Sequence, residues 1–131
     1  MAVEYLVSCS TVMTSSVERE VQHLRFMLES VELALSYVEG YVLADFLQDK
    51  RTQQAVILNL LHLGEAANRL MIESEDIVSR QPLIPWNQMR GMRNRLAHGY
   101  FDINLDVVWS TLQQALPELR EQLRVVLQST K

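Results

Sequence analysis

Proline and glycine are scarce in this 131-residue chain, with three Pro, all in the second half, and four Gly. So little punctuation excludes a fold of many short strands and favours long helices. There is one cysteine, Cys9. It cannot close an internal disulfide and suits a reducing compartment. No uninterrupted apolar run approaches the ~18–20 residues that span a bilayer. Residues 1–16 carry Glu4 and no basic cluster, a poor secretion signal. The protein is therefore expected to be cytoplasmic, with Met1 or Met13 as its natural start. A β-hairpin signal, an internal repeat and a low-complexity segment are all missing too.

What is present is a hydrophobic fraction of 48%, which excludes a disordered chain and can fill one core. We expect a variable, flexible extension over 1–15 and one helical domain over 16–131. The net charge of −4 argues against a general electrostatic grip on nucleic acid. Yet residues 85–100 hold Arg90, Arg93, Arg95 and His98 and no acid. Such a local cationic site suits one or two phosphates.

Helical spacing recurs four times. Leu24, Met27, Leu28, Val31, Leu35 and Val38 form the first stripe, with Ser15 or Ser16 as N-cap and Gly40 as stop. A short turn is expected over 42–47. Val56, Leu60, Leu63, Ala67, Leu70 and Met71 mark a second helix over about 52–73. Its interior Gly64 signals close approach of a neighbour, because a mid-helix glycine costs ~1 kcal/mol against alanine. A third helix is expected over 86–97, with Pro85 as its first residue and Gly99 as a left-handed C-cap. The fourth begins at Asn104 or Leu105 and is interrupted at Pro117, by a kink or by an end and restart. The pattern predicts an all-α antiparallel bundle of four to five helices.

The segment Arg93-Asn94-Arg95-Leu96-Ala97-His98-Gly99-Tyr100 concentrates the chemistry. It offers an always-charged phosphate clamp, a base that titrates near neutrality and a hydroxyl. Stepping ~100° per residue from Met89 puts Met92 and Leu96 beside it, facing the core. Arg93 at ~40°, Arg90 at ~100°, Asn94 at ~140° and His98 at ~180° form one arc, with Arg95 outside it at ~240°. This geometry selects Arg93 over Arg95. It also separates Arg93 from His98 by ~140°, so the helix must loosen near Gly99 or two copies must face each other.

This segment resembles the Arg-x4-His-x-Tyr signature of HEPN domains, specifically the HepT-type toxins. Gly64-Glu65-Ala66-Ala67, Pro85-Trp86-x-x-Met89 and Val108-Trp109 extend the resemblance over about residues 17–119. It implies a homodimeric helical bundle and a metal-independent ribonuclease, with Arg93 and His98 catalytic and Asn94 and Arg90 supporting phosphate binding. The chemistry implied is attack of an RNA 2′-hydroxyl on its own phosphodiester. No metal or other cofactor is needed, and DNA is not a substrate. The resemblance further implies a cognate minimal nucleotidyltransferase antitoxin that silences the toxin by attaching AMP to Tyr100. The alternative it allows is a non-catalytic HEPN subunit that binds nucleotide or RNA and partners a nucleotidyltransferase. A purely structural helical subunit is the third reading.

Other candidates read as structural. His62 and Glu65 share a helical face but lack the repeated Glu-x-x-His pairs of a bundle metal site. Cys9 and His23 do not make a zinc site. Trp86 and Trp109 are read as core or interface anchors. Asp102 is expected to cap the fourth helix or to orient His98, and Glu65 to approach the site from the second helix.

Overall fold

Four of the helices start where a side chain supplies an acceptor for free amides. In the computed structural model, described here for residues 15–129, Ser15 Oγ accepts from the Glu18 amide at 3.1 Å and opens α1 (Ser16–Tyr37). Cys9, and all of the expected 1–15 extension except Ser15, lie outside the described residues. Leu24, Met27, Val31 and Ala34 line the buried face of α1, and Gly40 turns the chain at a φ of 79°. The short α2 (Leu43–Gln48) follows, its first turn capped by Asp45, whose carboxylate accepts from the Val42 amide at 3.0 Å. Its Phe46 is wholly buried against Trp109, the ring centroids 5.5 Å apart.

Asp49 caps α3 (Lys50–Glu73), which begins two residues before the expected Thr52. One carboxylate oxygen accepts from the Thr52 amide at 3.1 Å, the other from the hydroxyls of Tyr41 (2.6 Å) and Thr52 (2.7 Å). These bonds favour the ionised form and bring the Asp49 pKa down to about 2. Tyr41 follows the end of α1 and touches the start of α3, while His23 near the start of α1 lies 3.2 Å from Glu73 at the end of α3. The two long helices are therefore antiparallel. Leu60, Leu63, Ala67 and Leu70 of α3 complete the core between them.

A four-residue helix, α4 (Ile77–Arg80), was not anticipated, since one turn is too short to show a period. It buries Ile77 completely and anchors Arg80, which donates to Glu20 at 2.9 Å and to Asp76 at 2.8 Å. Helix α5 (Trp86–His98) then packs on α3. Pro85 precedes it as the N-cap, one position earlier than expected. Gly99 does not take the expected left-handed conformation. Its φ is −114°, and its amide still donates to the Arg95 carbonyl at 2.8 Å. A Cβ at Gly99 would lie 3.1 Å from that carbonyl, so the glycine relieves crowding.

A 3-10 turn (Tyr100–Asp102) leads to Asn104, whose side chain accepts from the amides of Asp106 (3.0 Å) and Val107 (3.3 Å) and caps α6 (Leu105–Ser110). The cap is thus Asn104, and Asp102 has no part in it. The interruption expected at Pro117 takes the form of a π turn (Thr111–Ala115) leading into α7 (Leu116–Ser129). The Leu116 amide bonds to Thr111, five residues back. This wider turn accommodates a residue with no amide hydrogen and a bulky ring. Helix α7 packs along α1 and closes the all-α bundle. The described residues contain no strand and no helix long and apolar enough to cross a membrane.

Candidate functional site

The α3–α5 contact positions the first candidate side chain, Arg93. A Cβ built on Gly64 would lie 2.4 Å from Arg93 Cβ and 3.0 Å from the Met89 carbonyl. Only glycine allows the two helices this close. The approach presses the aliphatic stem of Arg93 onto α3 and leaves its side chain 25% exposed. Glu65, one residue along, then places Oε2 3.5 Å from Arg93 Nη2 and Oε1 3.4 Å from Arg69 Nε. Two guanidiniums share one carboxylate, so the cluster keeps a net positive charge. Arg93 Nε is buried without an acceptor, so the guanidinium retains unused donor capacity.

The other motif residues lie along the outer side and end of α5. Met89 and Leu96 are buried and Met92 partly so, the face expected to meet the core. Asn94, Arg95 and His98 are exposed. Arg90 is exposed as well and donates to Asn87 Oδ1 at 3.1 Å. Arg95 borders a mostly apolar cavity of about 510 Å³ between α5 and α6, away from the Glu65 cluster. Among the described residues, neither Asn94 nor His98 has a side-chain hydrogen bond, and Asp102 does not contact His98 to orient it. Tyr100 is 47% exposed and meets Phe101 edge-on at 5.8 Å, while Phe101 is 97% exposed.

Arg93 and His98 are not brought together within one chain. Helix α5 stays α-helical through His98, and the Gly99 amide continues the ladder to Arg95. The helix does not loosen near Gly99, so the ~140° separation of an ideal helix stands. Glu65, the residue from the second long helix, is the partner that the motif alone could not place. Its signal was its position directly after a mid-helix glycine. With both Arg93 and Arg69 on Glu65, its pairing with His62 has no support, and no group of three or more His, Cys, Asp or Glu among the described residues could hold a metal ion.

The model of the family described as ribonuclease HepT-like matches residues 27–126. The chain is 32% identical over 109 residues to "Putative RNase TTE0752" of Caldanaerobacter subterraneus subsp. tengcongensis, covering 83% of this chain and 95% of that protein. It is 36% identical over 98 residues to "Probable ribonuclease HepT" of Thermococcus cleftensis, covering 75% of this chain and 86% of that protein. "Putative RNase MJ0127" of Methanocaldococcus jannaschii is 34% identical over 91 residues, 70% of this chain and 73% of that protein. No solved structure matches. The matched span contains all of α3 and α5, and with them the Gly64–Glu65–Arg93 contact and His98. This protein belongs to the HepT-like ribonuclease family.

Proposed function

We propose that this ribonuclease is the cytoplasmic toxin of a toxin–antitoxin pair. It cleaves RNA without a metal ion, as a homodimer, and is silenced by addition of AMP to Tyr100. The observation that carries the reading is the state of α5. Its Arg93 is held in place by Gly64 and Glu65, while His98 and Asn94 stand exposed and unbonded farther along the same helix.

Cleavage by the 2′-hydroxyl needs two proton transfers. A base takes the 2′-hydroxyl proton as that oxygen attacks phosphorus, and an acid protonates the departing 5′-oxygen. The products are a 2′,3′-cyclic phosphate and a 5′-hydroxyl. An imidazole performs either role near neutral pH. In a dimer with the two α5 helices facing each other, one His98 would act as base and its counterpart as acid. Arg93 would neutralise the charge that grows on the phosphoryl oxygens, with Asn94 and Arg90 holding the phosphate. Facing copies would also close the angular gap between Arg93 and His98.

Tyr100 lies two residues past His98 and is half exposed, so its hydroxyl is open to modification. AMP attached there adds an anion and bulk where RNA would bind. A cognate minimal nucleotidyltransferase is the proposed source of that AMP.

The test is cleavage of total cellular RNA in EDTA by wild-type and His98→Ala protein, after intact mass has shown Tyr100 unmodified. Cyclic-phosphate ends made by the wild type and lost in the variant are the expected result. Intact RNA with both proteins would overturn the ribonuclease mechanism in favour of a nucleotide- or RNA-binding subunit. Regulation is tested separately. Tyr100→Phe is expected to stay toxic on expression and to resist rescue by the nucleotidyltransferase; full rescue would rule out Tyr100 as the main point of control.

A further inference from the structure

A groove of about 700 Å³ runs between α1 and α3, on the face that carries Glu65 and Arg69. The volume falls within the range of small-ligand sites. Its lining is mostly apolar, but two buried polar residues are set into it between the core helices. Ser30 and Asn59 are each only 7% exposed. The Ser30 hydroxyl has no hydrogen-bond partner among the described residues. Asn59 donates its Nδ2 to the Ala55 carbonyl at 3.0 Å, which leaves Oδ1 without a donor. A hydroxyl and an amide oxygen left open at the bottom of a groove are the groups that read a ligand's polar edge. One wall is the ring of Phe26, half exposed, beside Leu33.

We propose that this groove is a nucleobase pocket for the RNA strand that the α5 site cleaves, a reading that rests on the proposed ribonuclease function. Three observations favour a base over other occupants. The groove adjoins the phosphate clamp through a single residue, since Glu65 both borders it and pairs with Arg93. Arg69 stands at the same rim, 61% exposed, and can meet the phosphate of the neighbouring nucleotide. The groove itself combines a flat aromatic wall with a floor bearing one acceptor and one hydroxyl, the pair of features by which single-stranded RNA is bound. The Phe26 ring would stack on the base. Asn59 Oδ1 would accept from an exocyclic amine, and Ser30 would bond a ring nitrogen or carbonyl.

The test uses the full chain and an uncleavable probe, a fluorescent single-stranded 2′-O-methyl RNA, alongside the same strand made abasic. Phe26→Ala is expected to weaken binding of the normal strand roughly 5- to 100-fold, the loss of one base–aromatic stack. Ser30→Ala is expected to weaken it less. The abasic strand should bind wild type and variants alike. Equal affinity of wild type and both variants for the normal strand would overturn the proposal, as would no binding to wild type. If Phe26→Ala instead splits an oligomer and leaves strand binding unchanged, the groove is a contact between copies and the proposal fails. Since the probe lacks the nucleophile, these results are independent of whether RNA is cut. Absent cleavage with a base-dependent loss in Phe26→Ala would remove the ribonuclease mechanism and leave the pocket standing.

Discussion

The start of α3 and the end of α5 use the same kinds of side chain to opposite ends. At the start of α3, Asp49 collects bonds from Tyr41, the Thr52 hydroxyl and the Thr52 amide, and its pKa falls to about 2. At the end of α5, Asn94 and His98 stand exposed, neither they nor Tyr100 have a side-chain hydrogen bond among the described residues, and the Tyr100 ring meets Phe101 edge-on. Polar groups that satisfy one another stabilise the fold. Polar groups left exposed and unbonded are available to a substrate.

The contrast can be broken from either side. The largest expected effect is on activity: His98→Ala should lower RNA cleavage by roughly 10²–10⁴-fold, the usual contribution of a general acid or base. Its thermal midpoint should match the wild type, because no bond is lost. A destabilised His98→Ala would show that the residue is part of the fold. Gly64→Ala comes next. Its new Cβ cannot fit 2.4 Å from Arg93 Cβ, so α5 must shift. A loss of about 1–3 kcal/mol in urea unfolding is expected, as for other overpacked cores. Cleavage should fall with it, and unchanged stability would mean the two helices separate freely.

A pair of tyrosines sharpens the comparison. Tyr41→Phe should lower the thermal midpoint, by less than Gly64→Ala, since it removes the 2.6 Å bond to Asp49. Tyr100→Phe should leave it unmoved. Equal shifts would erase the distinction between the two helix ends. The smallest effect concerns pH. The folded pKa of Asp49 is depressed, so its contribution is complete above the ordinary value of 3.8 and is lost as pH falls towards about 2. Asp49→Asn, which keeps a cap without the charge, should show a thermal midpoint less sensitive to pH over that window. Parallel pH profiles for the two proteins would remove the charge from the account.

Local chemistry made much of this legible in one dimension. The apolar stripes of α1, α3, α5 and α6–α7 follow a period of 3.6, and Ser15, one of the two expected caps of α1, acts within three residues of itself, whereas the cap of α6 fell on Asn104 and not on the expected Asp102. Helix α4 was invisible because its stability comes from contacts far along the chain, with Arg80 reaching Glu20 across 60 positions. The conformation of Gly99 was misjudged for a related reason. A glycine after a helix permits a positive φ, but crowding against the Arg95 carbonyl explains it equally well, and backbone direction chose between them. At Pro117 the disturbance was foreseeable and its form was not, since a π turn and a kink both answer a missing amide hydrogen.

The site divides along the same line. The residues proposed to carry the chemistry, Arg93, His98 and Tyr100 with Asn94 and Arg90 beside them, could be picked out from type and spacing along one helix and the turn after it, because charge and helical angle belong to each residue and its near neighbours. That Glu65 pairs with Arg93, that Gly64 seats it, and that Asn59 and Ser30 floor a groove beside them required the packing of α1, α3 and α5. Those contacts join residues tens of positions apart, and the closeness of helix backbones that creates them is a property of the assembled core.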